Sequence, residues 1–230
     1  MPGLLGIECG ATHTVTLHES GEKIARTEFG PANLRLLDDA QLDKHLRQIA
    51  KQFPKPNAVA IGMAGARTPA DKSRLRRAAA RAWPSAAIHA TNDLETALAA
   101  DTQRKPATRV LVLSGTGSCC FGQSPDGATA KIGGWGHILG DKSSGYEIGL
   151  RALKACVFYL DRDGTWSTLG QRLLRRLQLN SPEQLIDWVA QADKAEVAAL
   201  AKEVFAAWSR RDKIAGDILK GAAETLAKDA

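Results

Sequence analysis

The chain has 230 residues, of which 44% are hydrophobic, 24% charged and only 5% aromatic, so the composition excludes a disordered or fibrous protein. The scarcity of aromatic residues argues against binding of single-stranded nucleic acid by base stacking. The net charge is +6, but the basic residues are spread along predicted helices and alternate with Ala and Leu. We interpret them as solvated helix faces and expect no nucleic-acid partner.

The sequence gives no sign of a membrane or secreted protein. No apolar segment approaches the roughly 20 residues of a transmembrane helix, and the first ten residues show no basic region followed by a cleavage site. The four cysteines, Cys9, Cys119, Cys120 and Cys156, lack the spacing of zinc or disulfide sites. We therefore expect a cytoplasmic protein with reduced thiols and no membrane partner.

The first hundred residues alternate between strand and helix patterns. Short alternating or apolar segments predict five strands, at Leu4–Glu8, around Val15 to Leu17, and at Lys23–Phe29, Ala58–Met63 and Ala87–Ala90. Helical spacing of apolar residues predicts helices at Asp38–Phe53, Pro69–Trp83 and Asp93–Asp101. This order is typical of a mixed sheet covered by helices.

The pattern restarts after a predicted linker at residues 104–107, so we expect two domains, 1–106 and 107–230. Strands are predicted at Val110–Leu113, Cys119–Gly122 and Ala128–Ile132. Beyond Ser143 the sequence predicts helices: one with an apolar face of Leu150, Leu153, Val157 and Leu160, then others at 165–178, 182–191, 194–208 and 211–228. Ser181 is the predicted cap of the helix at 182–191, with Pro182 at its first position.

Two turns of small residues join antiparallel strands, one at residues 10–12 and the other at 114–118. Small side chains leave backbone N–H groups open to phosphate oxygens. A tight hairpin explains either turn alone, whereas the pair in the same strand context favours phosphate binding. Two other nucleotide motifs are rejected, because residues 115–120 lack the third glycine of a dinucleotide fingerprint and Asp141 interrupts the Gly-Lys pair of a Walker A loop.

Secondary structure alone does not explain two further features, the acid Asp93 and the glycine-rich segment 131–141. Asp93 opens a helix directly after a strand, and its position alone leaves open a first-turn acid or a general base. Residues 131–141 contain four glycines with Trp135, His137 and Asp141. Such a loop suits close approach to a ligand, with a packed Ω-loop as the alternative, and we interpret His137 as structural rather than metal-binding.

Four segments resemble, in order, the motifs of N-acetylglucosamine kinases in the BadF/BadG/BcrA/BcrD ATPase family: residues 6–14, 91–93, 113–118 and 133–141. The resemblance implies an α/β fold of two ribonuclease H-like domains flanking a cleft, within the sugar kinase/Hsp70/actin superfamily. It implies transfer of the ATP γ-phosphate to the 6-hydroxyl of N-acetylglucosamine or glucosamine. The resemblance further implies ATP and Mg²⁺ as cofactors, a small-molecule amino sugar as the substrate, and a homodimeric assembly.

The resemblance also implies roles for individual residues. Asp93 would accept the proton of the sugar hydroxyl, and Glu8 would hold Mg²⁺ through water. The residues implied to bind the ATP phosphates are Gly10, Ala11, Thr12, His13, Gly115, Thr116 and Gly117. The residues implied to contact the sugar are Asn33, Ser118, Cys119, Gly134 and Asp141.

The sequence departs from the family pattern in several places. Cys9 and Ala11 replace glycines of the first turn, Lys142 and Ser143 follow Asp141, and Cys119 stands where some members have an asparagine near the acetamido group. No glycine pair follows Gly149, so we expect a second domain with a helical insertion and a truncated C-terminus. Two other classes stay open: a catalytically impaired sugar-binding or regulatory module, and an ATPase activator of an acyl-CoA dehydratase or reductase.

Overall fold

The computed structural model describes residues 3–10, 12–101 and 107–230. The chain divides into two compact units, residues 1–105 and 106–230, and each is described by itself. Of the expected linker at residues 104–107, only Ala107 lies within the described residues.

The first unit contains a five-stranded sheet. Its strands are β1 (Leu4–Cys9), β2 (Thr14–Ser20), β3 (Lys23–Phe29), β4 (Ala58–Met63) and β5 (Ala87–Thr91). Their order across the sheet is β3-β2-β1-β4-β5, and β1, β4 and β5 are parallel, whereas β2 is antiparallel to both of its neighbours. The carboxyl ends of β1, β4 and β5 therefore lie at the same edge, which is where ligands bind in open α/β sheets.

Three helices accompany this sheet: α1 (Asp39–Gln52), α2 (Pro69–Ala82) and α3 (Asp93–Ala99). Asp38 and Thr68 form capping boxes at the starts of α1 and α2. Alternate residues of β1 and β4 are buried against α1 and α2, among them Ile7, Ile61 and Met63. Towards the carboxyl ends of these strands, the opposite face carries small or polar residues: Gly6, Glu8, Ala60 and Gly62.

The second unit combines a small sheet with a helical core. Antiparallel strands β6 (Arg109–Ser114), β7 (Ser118–Gln123) and β8 (Thr129–Gly133) are followed by α4 (Gly145–Asp163), α5 (Thr168–Leu177), α6 (Gln184–Gln191), α7 (Lys194–Ala199), α8 (Ala201–Trp208) and α9 (Lys213–Asp229). Apolar side chains from α4, α5, α8 and α9 form its core, including Leu153, Leu173, Val204 and Ile218. None of the helices within the described ranges is long and apolar enough to cross a bilayer.

Two helix predictions in this unit are wrong. The helix expected at 194–208 is two helices, α7 and α8, which are separated at buried Leu200. There the Leu200 N–H donates to the Val197 carbonyl and the Leu200 carbonyl accepts the Glu203 N–H, which is the three-residue spacing of a 3₁₀ turn. Ser181 is not the cap of α6. This helix begins at Gln184, and no side chain caps its first turn. Instead the Gln184 side chain accepts hydrogen bonds from the N–H groups of Asn180 and Ser181.

The apolar face predicted for α4 is only partly correct. Leu153 is buried, but Val157 is 40% exposed, and the buried face also contains Ile148, Gly149, Ala152 and Cys156. A Cβ atom on Gly149 would lie 2.1 Å from the carbonyl oxygen of Val197 in α7. The small residues of α4 thus define its packing face, because they admit the backbone of a neighbouring helix.

Candidate functional site

Glu8 and Asp93 lie near one another at the carboxyl edge of the first sheet. Glu8 of β1 pairs with Gly62 of β4, and Gly62 pairs with Thr91 at the end of β5. Asp93 follows two residues later as the first residue of α3 and is half-buried. Residues directly opposite each other in a sheet direct their side chains to one face, so Glu8 and Gly62 share the face on which α3 lies.

The position of α3 is fixed by close packing and by hydrogen bonds. A Cβ atom on Gly62 would lie 1.8 Å from Oγ1 of Thr96 and 2.8 Å from the carbonyl oxygen of Asn92, so any other residue there would force α3 to move. The Asn92 side chain caps α3 by accepting the N–H of Glu95 at 2.7 Å. Lys72 of α2 pairs with the Glu95 carboxylate at 2.7 Å, which anchors the first turn of α3 from a second side.

The electrostatics of Glu8 reflect this arrangement. Its pKa is raised above the ordinary value because the carboxyl is half-buried and because the Asp93 carboxylate repels its charge, while His13 opposes the shift. A carboxylate whose negative charge is disfavoured in this way is stabilised by a cation. Mg²⁺ prefers oxygen ligands, keeps several waters and needs only one or two carboxylates beside phosphate oxygens, so Glu8 fits it. No group of three or more His, Cys, Asp or Glu suited to a metal occurs within the described ranges.

The first glycine turn is tied to the same edge. The Gly10 N–H donates to the His13 carbonyl at 2.9 Å, and the Gly10 carbonyl accepts the N–H of Ala32 at 3.1 Å. A Cβ atom on Gly10 would lie 3.4 Å from Oε1 of Glu8. The Thr12 hydroxyl lies 3.2 Å from Nδ1 of His13, and both side chains are exposed. Ala11, predicted to contact phosphate, lies outside the described residues.

Asn33 lies beside the end of β4. It forms an isolated parallel bridge with Ala64, and its Oδ1 accepts the N–H of Arg35 at 3.0 Å. Gly65 has φ +85°, and a Cβ atom there would lie 2.3 Å from Oδ1 of Asn33. The structure therefore places Asn33 with Glu8, Gly10 and the start of α3 at one edge, although its predicted contact with a sugar remains a prediction.

The second glycine turn joins β6 to β7 in the second unit. The Gly115 N–H donates to the Gly117 carbonyl at 2.9 Å, and the Gly115 carbonyl accepts the N–H of Gly145 at the start of α4 at 2.7 Å. No acceptor among the described residues receives the N–H groups of Thr116 or Gly117. The turn is thus held by α4 while it keeps donors available, which is the property that a phosphate-binding turn requires.

The glycine-rich loop packs against the start of β7. Gly133, Gly134 and Gly136 have positive φ values of +80°, +68° and +85°, which L side chains rarely adopt. The Gly134 N–H donates to the Ser118 carbonyl at 3.0 Å, and Cβ of Cys119 lies 3.4 Å from the position of a Cβ on Gly134. The predicted sugar-contacting residues Ser118, Cys119 and Gly134 are therefore neighbours.

Two aromatic residues of this loop differ in their environment. Trp135, the predicted wall of a ligand site, is 69% exposed. The ring of His137 packs edge-on against Tyr146, with ring centroids 4.8 Å apart. This packing against α4 agrees with a structural interpretation of His137.

Asp141 is buried and connects three segments. It is 4% exposed, its Oδ1 accepts the Ser118 N–H at 3.1 Å, and its Oδ2 lies 2.7 Å from Nζ of Lys194. A Cβ atom on Gly117 would lie 3.0 Å from Oδ2. Sequence reasoning placed Asp141 at the site but missed Lys194, because their 53-residue separation gives no local signal.

A model of the BadF/BadG/BcrA/BcrD ATPase family matches residues 5–230. The chain belongs to this family. It is 32% identical to an N-acetylmuramic acid/N-acetylglucosamine kinase of Clostridium acetobutylicum, over 98% of this chain and 77% of that protein. It is 28% identical to an N-acetyl-D-glucosamine kinase of Dictyostelium discoideum, over 80% of this chain and 63% of that protein.

The fold of this chain is similar to that of solved structures. A candidate N-acetylglucosamine kinase from Chromobacterium violaceum superposes with a TM-score of 0.77 and 25% identity, over 100% of this chain and 82% of that one. A candidate N-acetylglucosamine kinase from Porphyromonas gingivalis gives a TM-score of 0.77 at 20% identity, over 100% and 80% of the two chains, and supports the fold alone. The predicted family resemblance and the α/β class are confirmed.

In this BadF/BadG/BcrA/BcrD family member, the predicted site residues form one group in each unit. The first unit holds Glu8, Gly10, Thr12, His13, Asn33 and Asp93. The second unit holds Gly115, Thr116, Gly117, Ser118, Cys119, Gly134 and Asp141. The motifs predicted these residues but gave no signal for Gly62, Thr96 and Lys194, whose contacts depend on packing between distant segments.

Proposed function

We propose that this chain is an ATP-dependent amino-sugar kinase that transfers the γ-phosphate of ATP to the 6-hydroxyl of N-acetylglucosamine or glucosamine. Family membership and similarity to two curated amino-sugar kinases support the proposal. The observation that carries it is the position of two acids, Glu8 and Asp93, at the carboxyl edge shared by β1 and β5. A phosphoryl-transfer enzyme needs one base for the hydroxyl and one acidic group for the metal, and this pair supplies both.

Asp93 is the proposed general base. It is half-buried at the first position of α3, where packing of Thr96 on Gly62 fixes the helix. Packing of α3 on the sheet thus holds this carboxylate at the carboxyl edge, where a general base would be needed. Asp93 would therefore accept the hydroxyl proton of the sugar as its oxygen attacks the γ-phosphorus.

Glu8 is the proposed metal-associated residue. Its half-buried carboxylate next to Asp93 suits a hydrated Mg²⁺ that also touches phosphate oxygens. When bound, Mg²⁺ would neutralise charge on the phosphates during transfer. The chain's own contribution is to hold that carboxylate in place through the pairing of β1 with β4.

The two glycine turns are the proposed phosphate-binding elements: Gly10 to His13 in the first unit and Gly115 to Gly117 in the second. The N–H groups of Thr116 and Gly117 meet no acceptor among the described residues, and the Thr12 side chain is exposed. Open backbone donors and hydroxyls of this kind orient phosphate groups. The proposed sugar contacts are those of Asn33, Ser118, Cys119, Gly134 and Asp141.

One observation favours a kinase over an activator that holds an iron–sulfur cluster between two copies. All four cysteines, Cys9, Cys119, Cys120 and Cys156, are buried. Burial raises the pKa of the Cys9 thiol to about 12, so this residue stays a protonated thiol at neutral pH. A cluster shared between subunits needs thiolates at the surface.

A coupled ADP-release assay across N-acetylglucosamine, glucosamine and N-acetylmuramic acid tests the proposal, with glucose and a sugar-free reaction as controls. We expect amino-sugar-dependent ADP release, and phosphorus NMR should place the new phosphate on the 6-hydroxyl. Sugar binding in isothermal titration without any nucleotide binding would contradict the kinase proposal and support a sugar-binding module. Sugar-independent ATP hydrolysis alone would also contradict it.

A further inference from the structure

Lys194 forms the least expected polar contact of the second unit. Its Nζ lies 2.7 Å from Oδ2 of Asp141, and the Asp141 side chain is only 4% exposed. The other carboxylate oxygen of Asp141 accepts the N–H of Ser118 at 3.1 Å. Both oxygens of this buried carboxylate therefore have a partner, and one partner comes from the start of α7.

The Asp141 carboxylate lies directly against the second glycine turn. A Cβ atom built on Gly117 would be 3.0 Å from Oδ2 and 3.2 Å from Oδ1. An unpaired negative charge at this distance would repel a phosphate bound to the N–H groups of the turn. Lys194 supplies the positive charge that cancels it.

Lys194 is held beside the turn by the packing of α7 on α4. A Cβ atom on Gly145 would lie 3.2 Å from the carbonyl oxygens of both Ala198 and Gly115. The Gly145 N–H donates to that same Gly115 carbonyl at 2.7 Å. The start of α4 is thus in contact with α7 on one side and with the turn on the other, so the backbone of α7 has a fixed position relative to Asp141.

We propose that Lys194 is a positioning residue for nucleotide binding, which acts through Asp141 by neutralising its carboxylate beside the Gly115–Gly117 turn. The inference rests on the proposed function, because it presupposes that this turn binds phosphate. This role and direct binding of phosphate by Lys194 predict different results when the charge of Asp141 is removed. If Lys194 acts through Asp141, it then becomes dispensable for nucleotide binding, whereas a direct phosphate ligand would still be needed.

The test is a double-mutant cycle of Lys194→Met and Asp141→Asn, read by isothermal titration with the ATP analogue AMP-PNP and Mg²⁺. We expect Lys194→Met to weaken analogue binding by about tenfold, because the buried carboxylate then faces the phosphates without a counter-charge. The double variant should recover to within about threefold of the wild type, since it carries neither charge. Lys194→Arg should retain binding, and Lys202→Met on an exposed position of α8 is the matched control.

Thermal unfolding of each variant separates loss of folding from loss of binding. If Lys194→Met does not fold, the double variant decides alone: near-wild-type affinity supports the proposal, and a tenfold loss overturns it. Equal weakness of the Lys194→Met and double variants would show direct phosphate binding and would overturn the role assigned here. A wild-type chain that binds no nucleotide contradicts the proposed function itself, which is a distinguishable result.

Discussion

Glu8 lies in β1 and Asp93 follows β5, the two strands that flank β4; burial, and then repulsion by the Asp93 carboxylate, raise the pKa of Glu8. Gly62 lies between them in the sheet, and its missing side chain lets α3 approach closely enough to bring Asp93 to this edge. The relative position of Asp93 and Glu8 thus depends on the packing of α3 against Gly62, a residue that is distant from both in the sequence.

Replacement of Glu8 by Gln should stabilise the fold at neutral pH. Because the folded-state pKa of Glu8 is raised above its ordinary value of 4.5, the folded state binds the proton more tightly than the unfolded state does. Glu8 therefore lowers the free energy of unfolding as the pH rises from about 4.5 through the folded pKa. Thermal melts over this range should show a higher midpoint for Glu8→Gln at neutral pH and convergence with the wild type at acid pH, whereas a lower midpoint at neutral pH would contradict the assignment.

Replacement of Gly62 by Ala should destabilise the first unit and reduce activity together. The added Cβ would be 1.8 Å from Oγ1 of Thr96 and 2.8 Å from a backbone oxygen, so α3 must move. Overpacking of this kind costs about 1–3 kcal/mol of unfolding free energy, measured by chemical denaturation. Gly30→Ala is the matched control, since no heavy atom lies within 4 Å of a Cβ there. Equal stability of the two variants would show that α3 does not depend on Gly62.

Local sequence patterns were sufficient for most of the fold. The short apolar segment Leu4–Glu8 predicted β1, and the helical spacing of apolar residues within Asp38–Phe53 predicted α1. Such signals work because they depend on neighbouring residues. The break at Leu200 and the packing face of α4 were missed because close helix–helix contacts, not periodicity, determine them.

The candidate site was predictable only in part. Motifs placed Asp93, Glu8 and both glycine turns at ends of strands, and the structure confirms those positions. The pair of Asp141 with Lys194 and the contact of Gly62 with Thr96 join segments whose proximity is set by tertiary packing. Nothing in the spacing of those residues indicates that they meet.

Thr116→Val should weaken nucleotide binding more than sugar binding. Thr116 is half-buried in the second glycine turn, and the substitution removes a hydroxyl while it retains the shape of the side chain. Loss of a hydrogen bond to a charged phosphate corresponds to roughly a tenfold increase in the dissociation constant. Isothermal titration of both ligands measures this, with exposed Thr129→Val on β8 as the control. Equal weakening of both ligands would argue against a phosphate role for Thr116.

Replacement by Ala should affect the stability of the fold differently at two adjacent serines, Ser143 and Ser144. Ser143 is 1% exposed and its Oγ has no hydrogen-bond partner among the described residues, so its removal should leave stability unchanged or raise it by up to about 1 kcal/mol. Ser144 caps α4 by accepting the Glu147 N–H at 3.2 Å, so its removal should cost about 1 kcal/mol. Denaturant titration of both variants measures the difference. A larger loss for Ser143→Ala would mean that its hydroxyl has a partner in solution.

The most direct test of the account is the turnover of Asp93→Asn compared with its affinity for N-acetylglucosamine. The matched control is Asp187→Asn, which removes an exposed acid from the first turn of α6. The account predicts that Asp93→Asn lowers amino-sugar-dependent ADP release by at least about 100-fold, as expected for loss of a general base, while sugar affinity in isothermal titration changes little. Turnover equal to that of the wild type and of the Asp187→Asn control would remove Asp93 from the reaction and contradict the account.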